Sequence, residues 1–228
     1  MFYDEKQAIE LCEDDPSLTF NLINEGHLDL FEKLMDRNNI DLNTTNENGD
    51  NIIMYLFKKG QYDLVTKLMR KRSWNVNHQN SEGNTLAHLV VIKNYLEVKD
   101  IINALIVNKK FIPNIRNNKG ETILDTSMAN NNIYTTMKIL EDKRFNNIDL
   151  VSFKHLYDNY IKSNEYGTYS KMTNLEVIVD SLKGRELLPK VKNVIEEIIR
   201  NFEEIKTLIK ENNIKAVDNM IYDSLLIN

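Results

Sequence analysis

Hydrophobic and polar residues alternate along most of the chain with the period of an amphipathic α-helix. Within residues 63–69 the apolar side chains fall at the i, i+1, i+4 and i+5 positions of one buried helical face: Leu64, Val65, Leu68 and Met69. A second apolar run, residues 52–58, predicts a short helix just before it. Neither helix can bury its apolar side alone, so the pattern predicts helix pairs that stack on one another.

Two series of turn residues recur in register with these helices. The first series consists of glycines that are 34 and 37 residues apart: Gly49, Gly83 and Gly120. The second series, spaced 34, 34 and 37 residues apart, is Gly26, Gly60, Asn94 and Asn131. Because a left-handed turn favours Gly or Asn, each series predicts one kind of turn that recurs from unit to unit. A period this constant indicates a repeat protein.

The sequence therefore predicts an all-α fold of about four stacked helix-turn-helix units, followed by a C-terminal helical region. The predicted domains are 1–150, for an N-terminal cap and the repeats, and 151–228, for the C-terminal helices. The acidic stretch 4–15 predicts a capping helix with Ile9 and Leu11 facing inward. Residues 1–36 carry ten acidic and two basic residues, so a solvated charged face and a docking surface for a basic partner both remain open.

The C-terminal region predicts helices over 152–163, 174–182, about 189–212 and 215–226. The long helix carries an apolar stripe at alternating spacings of three and four residues: Leu188, Val191, Ile195, Ile198, Phe202, Ile205 and Ile209. Such a stripe suits a coiled-coil dimer, whereas the flanking apolar residues favour packing inside a bundle. Capping of the last repeat, homodimerisation and binding of a partner all remain open.

The repeat unit resembles the ankyrin-repeat family, whose unit of about 33 residues combines a β-turn with two helices and carries a Thr-Pro-Leu-His signature. The nearest copy is Thr85-Leu86-Ala87-His88, and Gly26 to Met35 resembles the opening of the family's second helix. The resemblance covers residues 17–150. It implies that His27 and His88 form hydrogen bonds that tie turns together. No unit keeps the signature proline, and three extra residues lie between Glu97 and Gly120.

The ankyrin resemblance also implies that a partner protein binds on one concave wall built from turn tips and first helices. The turn positions are Glu47, Asn48, Asp50, Ser81, Glu82, Asn84, Asn118, Lys119 and Glu121. The first-helix positions are Tyr55, Lys58, Lys59, Ile92, Lys93 and Asn130. Tyr55 and Ile92 are the expected apolar anchors.

Composition narrows the function further. A net charge of -5 over 228 residues disfavours nucleic-acid binding as the main task. The single cysteine, Cys12, favours a reducing compartment, and its acidic neighbours raise rather than lower its pKa. No zinc-ligand spacing, phosphate loop or nucleophile motif is present. We therefore expect no enzyme activity, cofactor, metal, small-molecule substrate or membrane insertion, and a cytoplasmic monomer, with a homodimer still open.

Three further hypotheses depend on local features. The basic cluster of Lys67, Arg70, Lys71 and Arg72, beside Trp74, suits a nuclear-import patch, a phosphate contact with a stacking aromatic, or ordinary cations at the end of a helix. Leu188-Pro189 resembles the F-box-like tails of some viral ankyrin proteins, which implies an adaptor that recruits a ubiquitin-ligase scaffold. Asn and Ile make up a quarter of the chain, which favours an AT-rich genome, such as that of a large DNA virus or an intracellular parasite, and a host-directed viral factor.

Overall fold

The computed structural model describes residues 5–36, 40–71, 73–93, 95–130, 132–142, 144–145, 157–158, 167–182 and 189–226. These ranges hold thirteen α-helices and no β-strand, apart from one isolated bridge between Thr45 and Asn51. The predicted all-α class is confirmed. The chain divides into two compact units, Met1–Ile123 and Leu124–Asn228. The domain boundary expected at residue 150 falls outside the described residues and stays a prediction.

The N-terminal unit stacks helix pairs in register. Its helices are α1 (Glu5–Asp14), α2 (Thr19–Asn24), α3 (Leu28–Asp36), α4 (Ile52–Lys58), α5 (Tyr62–Lys71), α6 (Leu86–Val90) and α7 (Tyr95–Val107), with a 3₁₀ turn at Pro16–Leu18. The two helices of each pair pack together, and α4 also packs against α2 and α6 while α5 packs against α7. First helices therefore lie on first helices and second helices on second helices, as a linear repeat stack requires.

The turn that joins the two helices of a pair has one geometry in the first two pairs. Gly26 and Gly60 adopt φ values of 80° and 75°. The residue after each glycine donates its backbone N–H to a carbonyl five residues earlier, from His27 to Leu22 and from Gln61 to Leu56. This is the Schellman ending of a helix, in which glycine accepts a left-handed conformation without a Cβ clash. The equivalent Asn94 and Asn131 lie outside the described residues.

Helix α1 packs against α3, as a cap on the first pair does. Ile9 and Cys12 face inward and are fully or almost fully buried. The expectation that Leu11 faces inward is wrong, because its side chain is 42% exposed. Residues three apart share a helical face, whereas Leu11 is two residues from Ile9 and points elsewhere.

Two of the three extra residues of the third unit lengthen its second helix at the C-terminal end. Helix α5 has 10 residues and α7 has 13, but α7 also begins one position earlier, because Tyr95 is equivalent to Gln61. The third extra residue lies in the loop between α7 and Ile112.

The C-terminal unit continues with helices α8 (Ile123–Ala129, whose first residue belongs to the N-terminal unit), α9 (Ile133–Leu140), α10 (Thr168–Leu182), α11 (Pro189–Arg200), α12 (Phe202–Lys210) and α13 (Ile214–Leu226). Helix α10 packs against α9, α11 and α12, and α13 packs against α11 and α12. The predicted helix 215–226 is confirmed, and the predicted helix 174–182 begins six residues earlier. Of the predicted helix 152–163, only residues 157–158 are described.

The single long helix expected over 189–212 is wrong. Asn201 interrupts it with φ and ψ of -98° and 14°, which separates α11 from α12. Within the described part of the apolar stripe, Ile195, Ile198, Ile205 and Ile209 are at most 3% exposed, and Phe202 is half-buried. The four isoleucines belong to the core of the unit, so this part of the stripe is not available to a second copy. Leu188 lies outside the described residues.

Candidate protein-binding surface

Three equivalent turns, each built on an asparagine, form the candidate surface. The Oδ1 atoms of Asn46, Asn80 and Asn117 each accept hydrogen bonds from the backbone N–H groups two and four residues later, and all six bonds are 3.0 Å long. The backbone N–H of each asparagine donates to the carbonyl four residues later, at 3.0 Å for Asn46 and at 2.9 Å for Asn80 and Asn117. A short polar side chain that bonds its own backbone in this way favours a turn over a helix.

Successive turns are hydrogen-bonded to one another. The N–H of Ser81 donates to the carbonyl of Asn48 at 3.1 Å, and the N–H of Asn118 donates to the carbonyl of Glu82 at 3.0 Å. The side-chain amide of Asn118 adds a bond to the carbonyl of Ser81 at 2.9 Å. The three turns therefore form one ladder with a fixed spacing.

The turn glycines make this close approach possible. Gly49, Gly83 and Gly120 have φ values of 70°, 73° and 78°. A Cβ at Gly49 would lie 2.9 Å from the backbone nitrogen of Ser81, and one at Gly83 would lie 2.6 Å from that of Asn118. A Cβ at Gly120 would meet nothing within 4 Å. Glycine is therefore required at positions 49 and 83 for two reasons: the left-handed conformation, and the close approach of the next turn.

Two histidines reinforce the ladder. The Nε2 atom of His78 lies 2.7 Å from the carbonyl oxygen of Gly49, in the preceding turn. His88 bonds Thr85 through Nδ1, and its Nε2 lies 3.0 Å from the carbonyl oxygen of Glu121, in the following turn. The turn-tying role that the family resemblance implied is confirmed for His88. It is wrong for His27, whose exposed ring lies 3.4 Å from Glu25.

Six of the predicted turn residues are exposed side by side along the ladder: Glu47, Asn48, Ser81, Glu82, Asn118 and Lys119. We call these six residues the tip surface. Their side chains are exposed, although the amide of Asn118 also donates to Ser81 and the carboxylate of Glu82 accepts from Asn84. The hydrogen bonds above hold the turns that carry them. The tip surface is polar and mixed in charge.

Asp50 is not part of this surface, and its expected place there is wrong. The side chain is 1% exposed. One carboxylate oxygen lies 2.6 Å from Nζ of Lys58, and the other accepts from the amide of Asn80 at 2.8 Å. Asp50 therefore joins its own turn to helix α4 and to the next turn, because a buried carboxylate needs such partners.

Asn84 and Glu121 are half-buried and are shared between the turns and their neighbours. The amide of Asn117 donates to Oδ1 of Asn84 at 3.0 Å and to Oε2 of Glu121 at 3.1 Å. Asn84 in turn donates to Oε2 of Glu82 at 2.8 Å. These side chains orient the tip residues more than they extend the surface.

Tyr55 is packed rather than free. Its ring meets that of Phe20 edge-on, with centroids 5.1 Å apart, and its hydroxyl is 3.4 Å from Oδ1 of Asn24. The ammonium of Lys59 lies 5.3 Å from the centre of the same ring and donates to Asn24 at 2.6 Å. The half-buried tyrosine therefore belongs to a cluster that joins the first two units, with only part of its ring available to a partner.

The remaining first-helix residues lie near the ends of their helices. Ile92 is 45% exposed just after α6, and Lys93 beside it is exposed as well. Asn130 lies in the C-terminal unit, is exposed and donates its amide to the carbonyl of Thr126 at 2.7 Å. Ile92 is the more accessible of the two predicted anchors.

The basic cluster is only partly described. Lys67 pairs with Glu32, and this hydrogen bond raises the pKa of the lysine. Arg70 is exposed and Trp74 is half-buried. The side chain of Lys71 and all of Arg72 lie outside the described residues, so the import and phosphate hypotheses stay predictions.

Sequence reasoning missed the residues that build the ladder. Asn46, Asn80 and Asn117 each open a turn, whereas the sequence pattern singles out only the glycines and the exposed residues of these turns. The signal was present, since the same residue type recurs three residues before each glycine. His78 gave no such signal, because its partner lies 29 residues earlier.

A family model of ankyrin repeats matches the sequence of residues 20–99 in three copies. Residues 20–99 consist of ankyrin repeats. The matched segment runs from α2 into α7, and ankyrin repeats are generally non-catalytic modules for protein–protein interaction. A fourth helix pair, α8 and α9, lies beyond the matched segment. No curated protein matches the chain.

Within the described ranges no helix has the length and apolar composition that crossing a bilayer requires. In the same part of the chain, His, Cys, Asp and Glu do not gather in groups of three or more that could hold a metal ion.

Proposed function

We propose that this protein binds a partner protein on the tip surface, with Ile92 and the exposed part of Tyr55 as apolar contacts. The observation that carries the proposal is the ladder of three asparagine turns. Because their backbones are already fixed, the exposed tip side chains lose little conformational freedom when a partner binds. A row of rigidly presented polar side chains is what a specific protein interface uses around its anchors.

The charges near the first helices favour an acidic segment on the partner. Lys58, Lys59 and Lys93 are all exposed, and the ammonium of Lys58 is paired with the buried carboxylate of Asp50. Exposed lysines mainly accelerate association, and salt screens this effect. Lys59 and Lys93 should therefore make the association rate depend on salt, while Lys58 should act mainly on folding.

The proposal is tested by affinity capture with three baits: the wild type, Ser81→Arg/Asn118→Arg, and Val177→Arg. The double variant changes two exposed tip residues, and the third changes a surface residue of α10 that is 37% exposed in the C-terminal unit. A partner retained by the wild type and by Val177→Arg, but lost with the double variant, supports the tip surface. Circular dichroism confirms that all three baits are folded.

Affinity measurements with that partner then test the contribution of each anchor, Ile92 and Tyr55, separately. Ile92→Ala should weaken binding by about 1–3 kcal/mol without a large effect on folding. Tyr55→Phe is the conservative change at the other anchor, since Tyr55→Ala would also remove the contact with Phe20. A partner whose binding is unchanged by every tip and anchor variant, but is lost with Val177→Arg, would instead favour the adaptor hypothesis. In that hypothesis the C-terminal helices recruit a ubiquitin-ligase scaffold.

The proposal places the interaction in a reducing compartment. Cys12 is the only cysteine of the sequence and is buried, so it forms no disulfide within the chain. The partner's identity and the viral origin stay hypotheses.

A further inference from the structure

The end of α7 and the loop after it expose apolar side chains where the preceding units expose polar ones. Val107, the last residue of the helix, is 77% exposed, and Ile112 is 55% exposed. The exposed positions of α3 and α5 whose side chains are described are all charged: Asp29, Lys33, Asp36, Asp63, Lys67 and Arg70. Val107 is the second of the two residues by which α7 extends past the equivalent end of α5, so the longer helix brings an apolar residue to the surface.

Ile112 also breaks a local pattern of the repeat. At the equivalent positions of the two earlier loops, Asp41 and Asn75 accept a hydrogen bond from the backbone N–H two residues later, at 2.9 and 3.1 Å. An isoleucine cannot accept this bond. A residue that gives up a local hydrogen bond and exposes an apolar side chain is better explained by function than by stability.

The loop is nevertheless held in place. Phe111 is buried, and Asn77 accepts from the N–H of Ile112 at 2.9 Å and donates to the carbonyl of Lys110 at 2.8 Å. Asn108 accepts from the N–H of Lys110 at 2.9 Å. Val107 and Ile112 therefore stand on a fixed backbone, which lowers the entropy lost when a partner binds.

Lys109 and Lys110 give this site its charge. Both are exposed, and no carboxylate of the described residues pairs with either ammonium. The dipole of α7 accounts for cations at its C-terminal end but not for the apolar residues beside them. In a chain with a net charge of -5, a basic site flanked by two exposed aliphatic residues is complementary to an acidic, apolar segment.

We propose that Val107, Lys109, Lys110 and Ile112, here called the α7 site, bind an acidic segment of a partner protein through its apolar side chains. The α7 site shares no residue with the tip surface and does not depend on the function proposed for it. A second copy of the chain and an anionic membrane are the other possible occupants, and the experiment distinguishes them.

The probe is a fluorescein-labelled synthetic peptide with Leu and Phe at i and i+4 among glutamates, titrated against the full chain by fluorescence anisotropy. We expect saturable binding that weakens about tenfold or more with Val107→Ser, with Ile112→Asn and with Lys109→Glu/Lys110→Glu. Leu96→Ser, which alters an exposed apolar residue at the other end of α7, and the tip variant Ser81→Arg should leave peptide binding unchanged.

Ile112→Asn keeps the test independent of folding. Asn occupies the equivalent position 75 and makes the hydrogen bond that Ile112 lacks, so the melting temperature of this variant should not fall. No binding of the peptide by the wild type, or equal binding by Ile112→Asn, would overturn the proposal. Self-association in light scattering would also overturn the proposal if Ile112→Asn abolished it but left peptide binding intact. The same outcome for binding to phosphatidylserine vesicles would overturn it as well.

Discussion

At the residue scale, the turn glycines look identical in sequence but differ in what surrounds them. Gly83 and Gly120 share a left-handed conformation, yet only Gly83 lies against the backbone of a following turn. The left-handed conformation is a local requirement, whereas the close contact is imposed by the neighbouring unit. Substitution at the two positions therefore separates conformational strain from steric conflict.

We predict that Gly83→Ala destabilises the protein by more than Gly120→Ala does. Both variants incur about 1 kcal/mol for an L-residue at positive φ. Gly83→Ala adds a Cβ that would lie 2.6 Å from the backbone nitrogen of Asn118, which cannot move without breaking its bond to Glu82. Urea unfolding of the two variants measures the difference, and equal losses would contradict the ladder geometry.

Cys12 provides a second prediction at this scale. Burial, with a smaller contribution from Asp15, raises the pKa of its thiol above the ordinary value. The neutral thiol is thus favoured in the folded state, and this stabilisation is complete below the pKa of the unfolded thiol. It is lost as the pH rises through the higher pKa of the folded protein.

We therefore expect the wild type to lose stability at alkaline pH more steeply than Cys12→Val, which has a similar size and no titrating group. The free energy of unfolding, measured by urea denaturation from neutral to alkaline pH, checks this. Lysine and tyrosine titration affects both proteins alike, so their difference isolates the thiol. Parallel profiles would show that the pKa of Cys12 is not raised.

At the element scale, an ion pair between Lys58 and the buried Asp50 connects a turn to helix α4. Lys58 ends helix α4, and its ammonium is 2.6 Å from the buried carboxylate of Asp50. Its neighbour Lys59 contacts Asn24 and the ring of Tyr55 on the surface. The two lysines adjoin in sequence but serve different structures.

We predict that Lys58→Met lowers the free energy of unfolding by about 1–3 kcal/mol, because it leaves a buried carboxylate with one neutral partner. The range is kept modest because the lysine itself is partly exposed to solvent. Lys59→Met is the matched control and should change stability by less than about 0.5 kcal/mol. Thermal or urea unfolding of both variants provides the comparison, and similar losses would show that the pair with Asp50 is not important.

At the scale of the whole molecule, the C-terminal helices and the last repeat helix are packed together. In the C-terminal unit α10 lies against α9, and both Ile139 and Leu140 of α9 are buried. A repeat stack needs its last apolar face covered. The interior position of Ile198 and Ile205 further favours capping over dimerisation through the stripe.

A fragment truncated after Leu150 should therefore aggregate or lose cooperative unfolding, because it lacks α10 and exposes apolar surface of α9. Light scattering and urea unfolding of the fragment beside the full chain measure both effects. Ile198→Asp in the full chain, which disrupts the C-terminal core without shortening the chain, should produce a milder form of the same defect. A monomeric 1–150 fragment with a sharp transition would show that the C-terminal region is an independent module.

The sequence by itself determined the repeat, the helix class and the turns. Glycine spacing, the apolar face of 63–69 and the run 52–58 each follow from interactions within a few residues, and the observed α4 has the predicted ends. Local rules suffice there because helix hydrogen bonds and left-handed turns are local. Six of the nine predicted turn positions are exposed, and their role in binding stays a prediction.

Only the tertiary structure decided which polar residues are interior and which apolar residues are exposed. Asp50 is buried because Lys58 and Asn80 reach it, and Asn80 lies 30 residues later. Leu11 is exposed because α1 turns Ile9 and Cys12 towards α3, and Ile112 is exposed although it follows a buried Phe111. Burial depends on neighbours that are distant in the chain, and no local pattern of one sequence specifies them.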